Sequence, residues 1–459
     1  MANNNPSIKA LNAKDHTTGS IIRSIFAMGL PSMIGFGLGN IYDLIDMYWM
    51  SRLGPEPVAA ITILSPFLWV IHSANHIVGV GSVAIISRRY GEKKYEETEL
   101  AICETLVLKW LAAISIGFIG YLLAPYIMTL LGAKGEVIDM GITYGRIIFI
   151  GLGFNFATYS IFTAMRGVAN PNIAMTIMLS LSGLNMILDP FMIFGWWIFP
   201  EMGLAGAAWA SNISYAVAFT SGLVIFLTGN ANVPVRPGTF FKIRWATMMK
   251  IIKIGAPSAL GQISFSLART IIMPMIALFG TGVVAAYGVT TRISSLGIML
   301  LVGIGLGLSA LIGHNMGANK KERARHTANQ ALLLSVGIMI AIGIITFIFA
   351  EFFMRLFFDD PEIIGYGVVL MRILALGMPF LGIHLTIENV YGGVGQNIPP
   401  MIMNMIHAWV LEIPAVYACV NIFKLGPEAV WWSIVAASVV AATAFYIYFR
   451  RGDWLKVKV

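Results

Sequence analysis

The stretch GLPSMIGFGLGNIYDLIDMYWMSRLGPEPVAA, residues 29–60, recurs as GAPSALGQISFSLARTIIMPMIALFGTGVVAA, residues 255–286. The two copies lie 226 positions apart and align without a gap as far as residues 97 and 323. The residues that they share are mainly small or rigid: Gly29/Gly255, Pro31/Pro257, Gly35/Gly261, Gly81/Gly307 and Gly91/Gly317. A repeat of this length predicts two structurally equivalent halves in one chain.

The composition predicts a protein that crosses a membrane many times. Hydrophobic residues make up 58% of the chain, charged residues only 11%, and the mean hydropathy is +0.79. A water-soluble fold cannot bury that much apolar surface. The first 20 or so residues are polar, so we expect no cleaved signal peptide. Although the net charge is +8, the basic residues cluster in short loops beside apolar runs, which argues against nucleic-acid binding.

Twelve apolar runs are long enough to cross a bilayer, six in each copy of the repeat. The predicted fold is therefore an all-α integral membrane protein with twelve transmembrane helices in two six-helix lobes. Six is an even number, so both lobes enter from the same side and are related by a pseudo-twofold axis along the membrane normal. The predicted segments are a cytoplasmic tail 1–20, an N-lobe 21–228, a cytoplasmic linker 229–247, a C-lobe 248–449 and a cytoplasmic tail 450–459.

The predicted spans lie near 21–51, 57–86, 102–127, 137–164, 171–196, 203–228, 248–279, 283–313, 328–354, 362–390, 398–423 and 427–449. Basic residues follow the even-numbered spans, as in the pairs Arg88-Arg89 and Arg450-Arg451 and at Arg166, whereas the opposite loops are poorer in lysine and arginine. By the positive-inside rule, both termini are expected on the cytoplasmic side of the cell membrane.

Two carboxylates interrupt the first apolar run. Asp43 and Asp46 lie three residues apart, and Tyr42 lies four residues before Asp46 on the same helical face. A charged group inside a membrane costs several kcal/mol unless it is neutralised, paired or hydrated. For Asp43, a functional role and a position near enough to the surface to reach water are both consistent with the sequence. For Asp46 we favour function.

The fifth run carries a matching polar pair. Asn185 and Asp189 are four residues apart, and both Asp46 and Asp189 fall about 30 Å from the cytoplasmic end at 1.5 Å per residue. A carboxylate pair with an amide and a tyrosine hydroxyl can hold a proton, or Na⁺ as a hard cation. A packing cluster without ion turnover is the alternative. In the second copy the equivalent positions are apolar: Ile272, Leu411 and Ala415.

These motifs together resemble the multidrug and toxic compound extrusion (MATE) family, and within it the prokaryotic branch named after a DNA-damage-inducible protein. The resemblance covers essentially all twelve spans. It is carried by Pro31, Tyr42, Asp46, Arg52-Leu53-Gly54, Arg166-Gly167, Asn170, Asn185, Asp189 and the run GLAGAAWAS at 203–211. It implies that Asp46, Asn185 and Asp189 couple transport to a cation, with Tyr42 and Ser211 as nearby hydrogen-bonding residues.

For several other polar or rigid residues, the sequence supports a structural role at least as well as a functional one. The family resemblance makes Pro31 a hinge of the first helix, but Pro257 occupies the same place in the second copy, so an architectural kink is equally consistent. Glu412 lies at mid-depth in the eleventh run, where function and structural pairing with Arg269 or His407 are both open. His384 is expected to be a packing histidine. Asp43, Glu412, Arg269 and His384 are thus secondary candidates.

The sequence predicts an efflux antiporter that exports cationic or amphipathic organic compounds in exchange for H⁺ or Na⁺ by alternating access. The alternative is a flippase for lipids or lipid-linked oligosaccharides, whose cavity would need more basic residues for a pyrophosphate than Arg269 and Arg292 supply. No nucleophile triad, metal-ligand spacing or phosphate loop suggests an enzyme. We therefore expect no cofactor, no nucleic-acid partner, a small organic molecule as substrate, and a monomer in the bilayer.

Overall fold

The computed structural model describes residues 16–131 and 133–457, without the side chains of Asn40, Asp43, Leu44, Pro66 and Trp69. In these residues all regular secondary structure is helical, and twelve helices are long and apolar enough to span a membrane. The predicted fold class is confirmed.

The first half contains helices α1 to α6: Ile21–Ser51, Pro55–Gly91, Tyr95–Leu130, Glu136–Gly167, Pro171–Phe194 and Leu204–Leu227. The second half contains α7 to α12: Trp245–Ala277, Thr281–Gly317, Lys321–Ile348, Pro361–Val394, Ile398–Ile422 and Pro427–Arg450. A short helix, Ala350–Arg355, follows α9. Proline occupies the first position of α2, α5, α10 and α12, where its missing N–H has no helical partner to lose.

The predicted spans match these helices, and the largest differences have one cause. Helix α3 begins at Tyr95 instead of 102, and α9 at Lys321 instead of 328. Both helices open with charged turns, YEETELA and KERARHT, which a search for apolar runs does not include. The predicted linker 229–247 is shorter in the structure, because α6 ends at Leu227 and α7 begins at Trp245.

The two halves use the same helix pairs. Helix α1 packs on α5 as α7 packs on α11, α2 packs on α4 as α8 packs on α10, and α4 packs on α6 as α10 packs on α12. The halves meet each other mainly through α1 with α8 and α2 with α7, a reciprocal arrangement, and through α2 with α8. The internal repeat is thus built as two lobes joined across a pseudo-twofold interface.

Glycines make the closest approaches between the lobes. A Cβ on Gly255 would lie 1.7 Å from the Ile77 carbonyl oxygen, and one on Gly81 would lie 2.0 Å from the Ile251 carbonyl oxygen. These contacts lie toward the end of the bundle that carries both described chain ends and the Arg/Lys-rich loops, which we call the basic end. The lobes are therefore packed together at the basic end.

Candidate functional site

Three helices of the N-lobe bring the five predicted cation-coupling residues together. Tyr42 and Asp46 lie on α1, Asn185 and Asp189 on α5, and Ser211 on α6. The Tyr42 hydroxyl is 3.4 Å from Ser211 Oγ, and Asn185 Nδ2 donates a hydrogen bond of 3.3 Å to the same oxygen. Ser211 therefore joins α1 to α5 from the third helix.

The two carboxyl groups face each other. Asp189 is fully buried, and its carboxyl group is within hydrogen-bonding reach of that of Asp46. Among the described residues, neither Asp189 oxygen accepts a hydrogen bond from an N–H or hydroxyl group, and Asn185 Oδ1 accepts none either. Two facing carboxylates offer only acceptors, so a proton or a cation between them is required to make the contact favourable.

The second lobe has no equivalent of this site. At the offset of the repeat, the five polar residues correspond to apolar ones: Ala268, Ile272, Leu411, Ala415 and Ala437. Ala268 and Ile272 are buried in the C-lobe where Tyr42 and Asp46 stand in the N-lobe. The five residues of this site thus have no polar counterparts at the matching positions of the C-lobe.

The N-lobe also buries two basic residues that the sequence did not identify as interior. Lys109 is 1% exposed, donates hydrogen bonds to the backbone and side-chain oxygens of Asn75, and lies over the ring of Phe156 at 5.9 Å. Arg166, interpreted above as a loop charge, is only 5% exposed and lies close enough to Lys109 to act on its charge. The sequence feature that could have predicted these buried basic residues is the single lysine inside the apolar run of α3.

The remaining candidates occupy other places. Pro31 lies within α1, which continues unbroken on both sides of it, and Pro257 lies in the same way within α7. The side chain of Asp43 lies outside the described residues. His384 is buried, and its Nε2 is 2.6 Å from Asn404 Oδ1, an arrangement consistent with the packing role expected for it.

Arg269 and Glu412 meet in the C-lobe. The guanidinium Nη1 lies 3.3 Å from Glu412 Oε1, and His407 Nε2 lies 3.7 Å from Glu412 Oε2. Both pairings that the sequence suggested for Glu412 are therefore present. Neither residue contributes to the acid pair of the N-lobe, so the structure separates the candidates into two clusters, one per lobe.

Comparisons with known proteins identify a family and several full-length relatives. A family model described as MatE matches residues 31–191 and, a second time, residues 257–418. Over 442 residues the chain is 26% identical to the probable multidrug resistance protein NorM of Thermotoga maritima, covering 95% of this chain and 94% of that protein. Over 440 residues it is 25% identical to the multidrug export protein MepA of Staphylococcus haemolyticus, covering 95% of each.

A solved structure is similar over nearly the whole length. It is described as the outward-facing conformation of a multidrug resistance MATE family transporter of the MOP superfamily, and matches with a TM-score of 0.87 at 25% identity. The match covers 97% of this chain and 98% of that one.

Proposed function

Because the chain belongs to the MatE family, a family whose members compared above are multidrug transporters, we propose that it is a secondary active efflux antiporter. The proposed substrates are cationic or amphipathic organic compounds, exchanged for H⁺ or Na⁺. The protein is a multi-pass membrane protein. We place it in the cell membrane as a monomer without a cofactor, with its basic end and both termini in the cytoplasm.

The observation that carries this proposal is the set of buried acceptor oxygens at Asp189 and Asn185, facing Asp46, for which the described residues supply no donor. A proton on one carboxyl group satisfies the pair by forming a hydrogen bond between them. A Na⁺ ion would instead be held by the carboxylate and amide oxygens, which are ligands that hard cations prefer. In either form the coupling ion neutralises charge that is costly to bury.

Antiport requires that the ion and the organic substrate favour different states of the transporter. Because the basic end is packed, we propose that the ion reaches the buried acid pair from the opposite end, which the proposed orientation places outside the cell. Entry of H⁺ or Na⁺ from outside would neutralise Asp46 and Asp189 and so remove their attraction for an organic cation. The substrate would then leave, and the ion-loaded lobe would return to the inward-facing state.

Transport in proteoliposomes tests the proposal. Uptake of ethidium into inside-out vesicles is measured with a pH gradient alone and with a Na⁺ gradient alone, for the wild type, Asp46→Asn and Asp189→Asn. We expect one gradient to drive wild-type uptake and both variants to lose nearly all of it. Asp139→Asn is the matched control, because Asp139 is an exposed acid in the first turn of α4. Undiminished coupled uptake in both site variants would exclude this mechanism.

A further inference from the structure

The C-lobe contains a polar cluster that the acid pair of the N-lobe does not involve. Its centre is Arg269 on α7, whose Nη1 lies 3.3 Å from Glu412 on α11 and donates a hydrogen bond of 3.0 Å to the Tyr287 hydroxyl on α8. The side chain of Arg269 is 35% exposed, whereas Glu412 is fully buried behind it. The guanidinium group therefore stands between a buried carboxylate and the solvent-accessible surface of the lobe.

The path of α11 explains how this acid enters the core. Residues Ile406–Glu412 form a π-helix within α11. A π turn holds an extra residue, so it rotates the positions that follow, and such turns are frequent at functional sites. Leu411, the counterpart of Asn185 in the repeat, is only half-buried, and Glu412 points inward instead. The C-lobe thus acquires an acid at a position that the N-lobe does not use.

The groups around the guanidinium are those that recognise a planar organic cation. Arg269 lies over the ring of Phe265 with 5.2 Å between the guanidinium carbon and the ring centroid. Tyr287 is held by stacking on buried Trp431 at 5.6 Å and 17°. An aromatic face, a fixed hydroxyl and a carboxylate together attract a delocalised cation by its charge and by the ring quadrupole. Arg269 currently supplies that cation from within the chain.

The pairing between Arg269 and Glu412 leaves the carboxylate poorly satisfied. Within the described part of the chain, neither Glu412 oxygen accepts a hydrogen bond, and its charged or chargeable neighbours stand at 3.3 Å for Arg269 and 3.7 Å for His407. A buried ion pair is strongly stabilising only when its geometry is good and its remaining acceptors are filled. Much of the attraction of Glu412 therefore remains available to a competing cation.

We propose that Glu412, Phe265 and Tyr287 form a subsite for a planar organic cation in the C-lobe, and that Arg269 is its built-in competitor. A cation that reaches the exposed side of Arg269 displaces the guanidinium from Glu412, and Arg269 returns when the cation leaves. This inference rests on the proposed function, since it assigns one binding site for the organic substrate. It also gives the substrate a second carboxylate, in the lobe that does not hold the coupling ion.

Equilibrium binding of ethidium to the full chain in lipid nanodiscs tests the competition. Arg269→Gln removes the charge but keeps a hydrogen-bonding side chain beside Tyr287, so we expect ethidium to bind about tenfold more tightly than to the wild type. Arg269→Gln/Glu412→Gln should lose that gain. Arg372→Gln is the matched control, because Arg372 lies 5.5 Å from the ring of Phe347 and pairs with no acid among the described residues. Its binding should equal that of the wild type. If the wild type binds ethidium measurably and Arg269→Gln binds it equally or more weakly, the inference is overturned.

A second measurement separates this inference from the proposed function. Methylguanidinium at low millimolar concentration should raise the melting temperature of Arg269→Ala but not that of Arg269→Ala/Glu412→Gln, because it replaces the missing side chain. No stabilisation of either variant means that the subsite does not exist, and leaves the antiport proposal intact. Stabilisation combined with no ethidium binding to any form, the wild type included, supports the subsite and contradicts the proposed substrate class instead.

Discussion

Gly29 and Gly255 occupy the same position in the two copies of the repeat, and each packs closely against the second helix of the opposite lobe. A Cβ on Gly29 would lie 2.9 Å from Ile304 Cα on α8, and one on Gly255 would lie 1.7 Å from the Ile77 carbonyl oxygen on α2. The repeat equivalent of Ile77 is Gly303, the neighbour of Ile304, so the two contacts lie one residue apart and are approximately related by the pseudo-twofold axis. Such approaches leave no space for a side chain, so we expect them to separate when the basic end opens.

We expect Gly255→Ala to shift the transporter away from the state that is closed at the basic end. An added methyl group at 1.7 Å from a backbone oxygen cannot be accommodated without moving a helix, and overpacking of this kind costs about 1–3 kcal/mol. Spin labels at Glu96→Cys and Lys321→Cys, both exposed near the basic end, would report the change as a larger population of long distances. Cys103 and Cys419 are replaced in that background.

Gly288→Ala is the control for that experiment, because a Cβ on Gly288 would meet no described atom within 4 Å. Its distance distribution should match that of the parent. If Gly255→Ala gives the parent distribution as well, the glycine contacts do not limit opening of the basic end.

Ser211 offers a test of the N-lobe site that leaves both acids in place. We expect Ser211→Ala to reduce ion-coupled transport about tenfold, because it removes the long contacts to Tyr42 and Asn185 at about 0.7 kcal/mol each. Ser211→Thr keeps the hydroxyl and should retain most activity. Ser214→Ala is matched to it, since Ser214 lies on the same helix with a buried hydroxyl that has no partner among the described residues. Equal losses in Ser211→Ala and Ser214→Ala would mean that packing, and not the hydrogen bonds, is responsible.

The geometry of the N-lobe site could be anticipated from sequence because local spacing determines most of it. Tyr42 with Asp46, and Asn185 with Asp189, are pairs four residues apart inside apolar runs, so each pair shares a helix face. The repeat then isolates them, since their counterparts are apolar. The role of these residues in coupling stays a prediction.

The interior of the C-lobe could not be anticipated in the same way. Comparing the two copies at a fixed offset of 226 residues assumes that matched residues face the same way. The π-helix at Ile406–Glu412 shifts the register within α11, so this assumption fails there. The fixed offset therefore pairs Glu412 with Met186, although the π-helix gives Glu412 a different orientation in its lobe. Arg166 was misjudged for a related reason: a basic residue at a helix end is usually in a loop, but this one turns into the lobe, where Lys109 also lies.

A turn that occurs in both copies predicts a stabilising substitution. Ala169 has a positive φ of 58°, and its repeat counterpart Gly395 has a φ of 79°. The left-handed region costs a residue with a Cβ about 1 kcal/mol, which glycine avoids. We expect Ala169→Gly to raise the melting temperature by a few degrees and Gly395→Ala to lower it. Shifts of the same sign in both variants would show that backbone strain does not govern these turns.

The linker is anchored to the N-lobe by a buried carboxylate, and its removal should be costly. Glu99 on α3 is 3% exposed, and it accepts hydrogen bonds from the Arg236 backbone at 2.7 Å, from the Arg236 guanidinium at 2.7 Å and from Thr239 Oγ1 at 2.6 Å. We expect Glu99→Ala to destabilise the fold by about 1–3 kcal/mol, because the Arg236 backbone N–H and the buried Thr239 hydroxyl lose their acceptor, whereas the Arg236 guanidinium is 57% exposed and remains hydrated. Thermal unfolding measures the loss, and trypsin should cleave the linker at Lys242 sooner.

Glu351→Ala is the comparison, because Glu351 forms an exposed ion pair of 2.7 Å with Arg355, four residues along the same short helix. Exposed pairs contribute about 0–1 kcal/mol, so its melting temperature should be close to that of the wild type. If Glu99→Ala and Glu351→Ala unfold at the same temperature and the linker is cleaved at the same rate in both, the hydrogen bonds to Glu99 do not hold the linker. The junction of the lobes would then depend on their direct packing through α1, α2, α7 and α8.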